Sequence, residues 1–209
     1  IMTRATTDIT LNDYRTMDPL KKSATTVALT QVSAVGQQRI VDAVTELKNK
    51  IFADAMLERY SSMLIFHSII RELYADMTEF CLVEITYEAT ELAIIRNGVL
   101  HYSTHTNIGI NTLIRNIATR LDIPDPEAKT LLRAIAVDGL AAHSTAEQAI
   151  IGSIFTEYQS ALESLFHETG DSLSIPKVLF LHGNAEFESL FDDYMIAAAK
   201  AATSSSHTV

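Results

Sequence analysis

Apolar side chains recur along this chain at two periods, and the change from one to the other divides it. The first twenty residues, through Asp18-Pro19, are polar and threonine-rich with no sustained period, so residues 1–23 read as an arm or an edge strand. From Thr25 the run Thr-Thr-Val-Ala-Leu-Thr-Gln-Val predicts a buried strand. Gly36 then introduces a helix that carries Ile40, Val44, Leu47 and Ile51 on one face. Residues 52–59 predict a further strand, and residues 60–74 place Met63, Phe66, Ile70 and Leu73 at helical spacing, closed by residues 76–79. Residues 24–79 therefore read as a small α/β subdomain with a connecting helix.

From Leu82 to Gly109 the pattern is that of three successive strands. The second and third are joined at Asn97-Gly98, the pair that favours a two-residue type I′ hairpin because both positions need positive φ. Helical spacing then takes over. Ile110, Leu113, Ile114, Ile117 and Leu121 mark a helix that begins after Gly109 and stops before Pro124, and Pro126 suits the first turn of the next, which carries Leu131, Leu132, Ile135 and Leu140. Ser144 with Glu147 three residues on forms a capping box for a third, long helix through Ile150, Ile154, Tyr158, Leu162 and Leu165, which Gly170 and Asp171 should end. A short apolar strand over residues 176–183 and a last helix through Phe187, Leu190 and Met195 complete residues 80–202. The tail, 203–209, should fray. The later strand is most easily placed parallel to the first strand of the antiparallel meander.

Composition narrows the function. With 209 residues, 47% of them hydrophobic, the chain can bury a real core. Its 26 acidic and 16 basic residues leave a net charge of −10, which disfavours nucleic acid and anionic membrane surfaces as partners. No apolar run is long enough for a membrane span and no signal peptide is visible, so no direct membrane insertion is expected. The single cysteine, Cys81, sits in an apolar run, which favours an inert core thiol and a reducing, cytoplasmic setting. The chain opens on Ile1 followed by methionine, the order expected of a fragment or a processed protein. His101 and His105 have the spacing of a metal pair, but on a strand their Cα atoms stand ~13 Å apart, too far for one ion. No metal site is expected. Ser103 and Ser144 lack a nucleophile elbow.

Several short motifs, in order, resemble a known family. They are Glu84-Ile85-Thr86-Tyr87-Glu88-Ala89-Thr90, then Asn97-Gly98-Val99-Leu100, Ile108-Gly109-Ile110-Asn111, Ile117-Ala118-Thr119-Arg120-Leu121, Glu127-Ala128, and finally Val178 through Gly183-Asn184-Ala185. In this succession the chain is similar to the second half of bacterial actin-like ATPases of the pilus-assembly PilM and cell-division FtsA type, with residues 25–74 resembling more weakly what precedes that half. The resemblance implies an α/β, actin-like (ribonuclease-H-like) half: a three-strand antiparallel meander, helices and a later parallel strand, preceded by a smaller α/β subdomain. It also implies a residual nucleotide-binding set. Glu84 would help hold a magnesium shell, Thr86 and Thr90 would belong to the second phosphate loop, Gly109 would open the following helix, and Gly183 and Asn184 would form the adenosine turn, with His182 beside it.

The departures from that family have physical meaning. Thr86 replaces a phosphate-loop glycine, and a Cβ there keeps backbone N–H groups from close approach to phosphate oxygens. Glu88 lies mid-loop, where its carboxylate would face the phosphates and repel them by ~1 kcal/mol in water at ~4 Å. Ala89 lacks a hydroxyl, Ile110 replaces a second glycine, and the family's first phosphate loop is absent from these 209 residues. Glu88 and Glu91 otherwise read as ordinary solvated loop residues. The favoured reading is a non-catalytic scaffold or interaction protein of a pilus-assembly or related envelope machine, needing no cofactor. Its partner would be a protein, such as a cytoplasmic segment of a membrane protein, and homo-oligomers stay open. The alternative is an ATP-binding protein, using ATP and magnesium, whose first phosphate loop lies outside this chain. A ribonuclease-H-like nuclease would need several converging carboxylates. Only Glu84 stands on the strand where one is wanted.

Overall fold

A computed structural model describes residues 3–16, 18–169 and 175–209, and the chain divides into two units, Ile1–Ala75 and Asp76–Val209. The expected helix stop at Gly170 and Asp171 lies outside the described residues.

The first unit is built on a three-stranded sheet. Its strands are β1 (Thr3–Leu11), β2 (Tyr14–Arg15) and β3 (Val27–Ala34), with β1 in the middle and antiparallel to both others. The stretch expected as an arm or edge strand is thus the central strand. Its polar composition misled because β3, which it pairs with, is itself solvent-exposed: Val27 and Leu29 stay in water, so neither strand needs an apolar face. Two helices follow, α1 (Gln38–Ile51) and α2 (Ser62–Leu73, capped by the Ser61 side chain), and residues 53–61 form turns and coil rather than the expected strand. The apolar stripe of α1 is real, but Ile40, Val44, Leu47 and Ile51 are 44–58% exposed. About 75 residues in one thin sheet and two helices have too little second layer to cover that stripe.

The second unit holds the core. Its four-stranded sheet has the order β6-β5-β4-β7, with β4 (Phe80–Ile85), β5 (Thr90–Arg96) and β6 (Val99–Thr106) as the antiparallel meander and β7 (Leu179–His182) parallel to β4, as the sequence order implied. Asn97 and Gly98 both take positive φ in the hairpin. Every residue of β4 is buried, so the strand reads as a continuous apolar run broken only by Glu84. Cys81, Val83, Ile85, Leu92 and Ile94 face a helical layer of α3 (Ile110–Leu121), α4 (Asp125–Asp138), α5 (Thr145–His167) and α6 (Glu188–Thr203). Tyr158, Phe155 and Phe166 of α5 and Phe191 of α6 are fully buried there, each contributing roughly 1.5–3 kcal/mol. Two ring pairs join these helices: Phe155 stacks on Tyr194 at 5.0 Å, and Tyr158 meets Phe191 edge-on at 5.7 Å. Burial pushes the Cys81 thiol up to about 12, which suits an inert core group.

The tail does not fray as expected. α6 ends in a left-handed Ser204, after which the chain returns to the sheet: Thr208 bridges Val178, donating its N–H to the Lys177 carbonyl at 3.0 Å and accepting from Leu179 N at 2.8 Å. Backbone pairing outweighs the polar composition there.

The capping box of α5 forms as the sequence predicts. Ser144 Oγ accepts from Glu147 N at 3.3 Å, and Glu147 Oε2 accepts from Ser144 N at 2.9 Å. Ser144→Ala should therefore cost about 1 kcal/mol, read as a lower urea midpoint with unchanged slope. An unchanged midpoint would mean that the box holds no stability.

Candidate functional site

The residues singled out in the sequence gather where β4 and β7 end. The β4–β5 connection, residues 86–89, is a tight turn closed on itself: Thr86 N donates to the Ala89 carbonyl at 2.8 Å, and Ala89 N donates to Thr86 Oγ1 at 3.0 Å. The turn also lies against the start of α3. Ile110 N donates to the Thr86 carbonyl at 3.1 Å and Asn111 N to the Tyr87 carbonyl at 2.7 Å. The first N–H groups of a helix are the donors that would otherwise meet an anion. Here the chain's own carbonyls take two of them.

Gly109 makes this contact possible through space rather than φ. A Cβ on Gly109 would lie 2.6 Å from Ala89 N and from the Thr86 carbonyl oxygen and 2.7 Å from Glu88 N, all of them backbone atoms that cannot swing aside. Gly183 differs: a Cβ there would meet Ile85 at 3.6 Å, an ordinary contact. The next residue, Asn184, accepts from Glu186 N at 2.9 Å and donates through Nδ2 to the Tyr87 hydroxyl at 2.8 Å, tying the end of β7 to the turn.

Glu88 does not face outward as an unpaired charge. Its carboxylate accepts from Asn111 Nδ2 at 2.7 Å and from Arg115 at 2.9 and 3.3 Å, and these bonds, the guanidinium first, hold its carboxyl below the usual range. The repulsion expected from Glu88 is offset by a cation one helical turn into α3. Thr90 is not on the open side. Its hydroxyl donates to the Ile108 carbonyl at 2.8 Å and lies 3.1 Å from the buried Tyr158 hydroxyl, whose pKa burial raises.

Strand register adds a feature that no local motif announces. Glu84 stands opposite Glu91 on β5, Glu91 opposite His105 on β6, and Glu84 opposite His182 on β7, so His105, Glu91, Glu84 and His182 form one row across the sheet. Glu84 is buried and its Oε1 lies 3.5 Å from His182 Nδ1. Glu91, expected as a solvated loop residue, is part-buried on β5. Desolvation first, then the neighbouring Glu84 charge, raises its pKa, against a smaller lowering by His105. Among the described residues no group of three or more His, Cys, Asp and Glu side chains is arranged to hold a metal ion.

Sequence reasoning missed Asn111, Arg115, Tyr87 and Tyr158. The spacing of Asn111 and Arg115 puts both on one face of the first turns of α3 and was available as a signal. Tyr158 is 68 residues from Thr90, and nothing local links them.

No protein-family model and no curated protein matches the chain. Solved structures share its fold. A PilM-PilN type IV pilus biogenesis complex matches with a TM-score of 0.59 at 14% identity, over 90% of this chain and 52% of the other. MreB 5 of Spiroplasma citri bound to AMPPNP matches with a TM-score of 0.54 at 13% identity, over 81% of this chain and 63% of the other. The chain thus spans about half of the first of these chains and under two thirds of the second. These likenesses show an actin-like ATPase fold, and the pilus-assembly type is one of several among them. No helix among the described residues is long and apolar enough to cross a membrane.

Two outcomes follow from this geometry. Gly109→Ala must displace the turn or α3 and should cost about 1–3 kcal/mol in urea unfolding; a change below 0.5 kcal/mol, the ~0.5 kcal/mol range of surface substitutions, would show that the approach is loose. Because the folded pKa of Glu91 is raised, the stability its protonated form contributes is fully present below the unfolded value of about 4.3 and is lost as pH rises through the folded value. Glu91→Gln should therefore stabilise the protein by about 0.2–1 kcal/mol at neutral pH. The gain should vanish below about pH 4, and one that persists there would assign the effect to packing instead.

Proposed function

We propose that this chain is a non-catalytic, actin-like interaction module in which the second phosphate loop has become a structural joint. The observation that carries this reading is the seating of residues 86–89 on α3: the turn's carbonyls take the N–H groups of Ile110 and Asn111, and Glu88 takes Asn111 and Arg115. A nucleotide would have to displace these bonds, and a phosphate would arrive beside a carboxylate already holding the nearest guanidinium. Glu84 stands beside His182 and opposite Glu91 in the sheet. One matched structure is a complex between two proteins, PilM and PilN, which favours a protein partner for this chain as well. Assembly of an envelope machine such as a pilus, in a cytoplasmic setting, is the role this reading favours.

Calorimetric titration with magnesium-ATP, paired with a melting curve at high nucleotide, tests it. A ligand at 100 times its dissociation constant stabilises a fold by ~2.7 kcal/mol. The expected result is no heat beyond dilution and no shift in melting. Saturable binding would replace the scaffold with the ATP-binding alternative and require the 86–89 turn to open.

A further inference from the structure

A second surface of the Asp76–Val209 unit has the character of a docking groove. It lies between the end of α3, one side of α4 and the start of α5, with a volume of about 580 Å³, inside the range of natural binding clefts. Leu121, Ile123, Leu131 and Ala134 form an apolar floor, all part-buried and the leucines and isoleucine packed against the core. Glu127 and Glu147 stand at the rim, and no lysine or arginine is among the described residues that line it. Glu147 is held in place by the Ser144 backbone and hydroxyl, which also keep its carboxyl below the usual range. The capping box takes up the Ser144 and Glu147 N–H groups at the start of α5.

We infer that this groove docks a short amphipathic segment of a partner protein, one that presents apolar side chains to the floor and lysine or arginine to Glu127 and Glu147. Charge complementarity selects this occupant. A second copy of the chain carries a net charge of −10 and would meet the rim with like charge, and a nucleic acid would be repelled in the same way. The inference rests on the interaction role proposed above and names the chemistry of its partner. Arg133, on the same helix, is committed elsewhere: it forks onto Glu186 at 2.8–3.0 Å. The groove shares no lining residue with the 86–89 turn or its partners Ile110, Asn111 and Arg115, so the two surfaces can be tested apart.

The probe is a fluorescent peptide of roughly 15 residues with leucine and lysine at helical spacing, titrated against the full chain, beside its counterpart with glutamate for lysine. The lysine peptide should bind and the glutamate peptide should not. Glu127→Lys should weaken binding about tenfold, whereas Glu46→Lys, the same charge change on α1, should weaken it less than about twofold. Ala134→Arg should abolish binding by filling the floor, and melting curves establish that each variant is folded. Equal losses for Glu127→Lys and Glu46→Lys would overturn the groove in favour of diffuse attraction to an acidic protein, and absence of lysine-peptide binding would overturn it outright. Binding of ATP in the separate titration would remove the scaffold reading while leaving the result at the groove intact.

Discussion

The register of β4 is the constraint on which the second unit depends. This strand is buried along its whole length, pairs antiparallel with β5 and parallel with β7, and carries the 86–89 turn at its end. Side chains alternate faces with a period of two, so a slip of one residue would exchange Cys81, Val83 and Ile85, which face the helices, for Phe80, Leu82 and Glu84. It would also break the row in which Glu84 meets Glu91 and His182. A buried carboxylate tolerates few positions, and the imidazole 3.5 Å away is part of what makes this one acceptable.

From that register follows the joint at the strand end. Because β4 delivers Thr86 and Tyr87 to the start of α3, their carbonyls meet N–H groups that a helix leaves unpaired, and Gly109 lets the two backbones touch. Here Thr86 uses its hydroxyl to close the turn on Ala89, Tyr87 uses its own to hold Asn184, and Glu88 occupies Arg115. Three polar side chains of the turn thus have internal partners. On the interaction role proposed above, the acid-rimmed groove beside α4 is the surface through which the module would act.

How much of this was legible in the sequence depends on the range of the force involved. The meander, its Asn97-Gly98 turn, the starts of α3, α4 and α5 and the capping box at Ser144 are local, set by φ preferences, proline, glycine and side-chain caps within four residues. They agree with the structure. The first twenty residues and the tail do not: β1 became the middle strand because β3 offered it a partner, and Thr208 was captured by Lys177 and Leu179. Apolar periodicity also overstated burial in α1, since a stripe records what a helix can cover and not whether a layer is there to cover it.

The candidate site divides in the same way. The sequence by itself determined the residue types at the end of β4, the glycine at 109 and the acidic character of the chain, because these are written at single positions. Only the tertiary structure decided what they do. Arg115 reaches Glu88 across 27 residues, Asn184 reaches Tyr87 across 97, and His182 lies beside Glu84 because a parallel strand returns from the far end of the chain. Hydrogen bonds and ion pairs act over a few ångströms, so their partners are chosen by how distant segments are brought together, and no local pattern carries that choice.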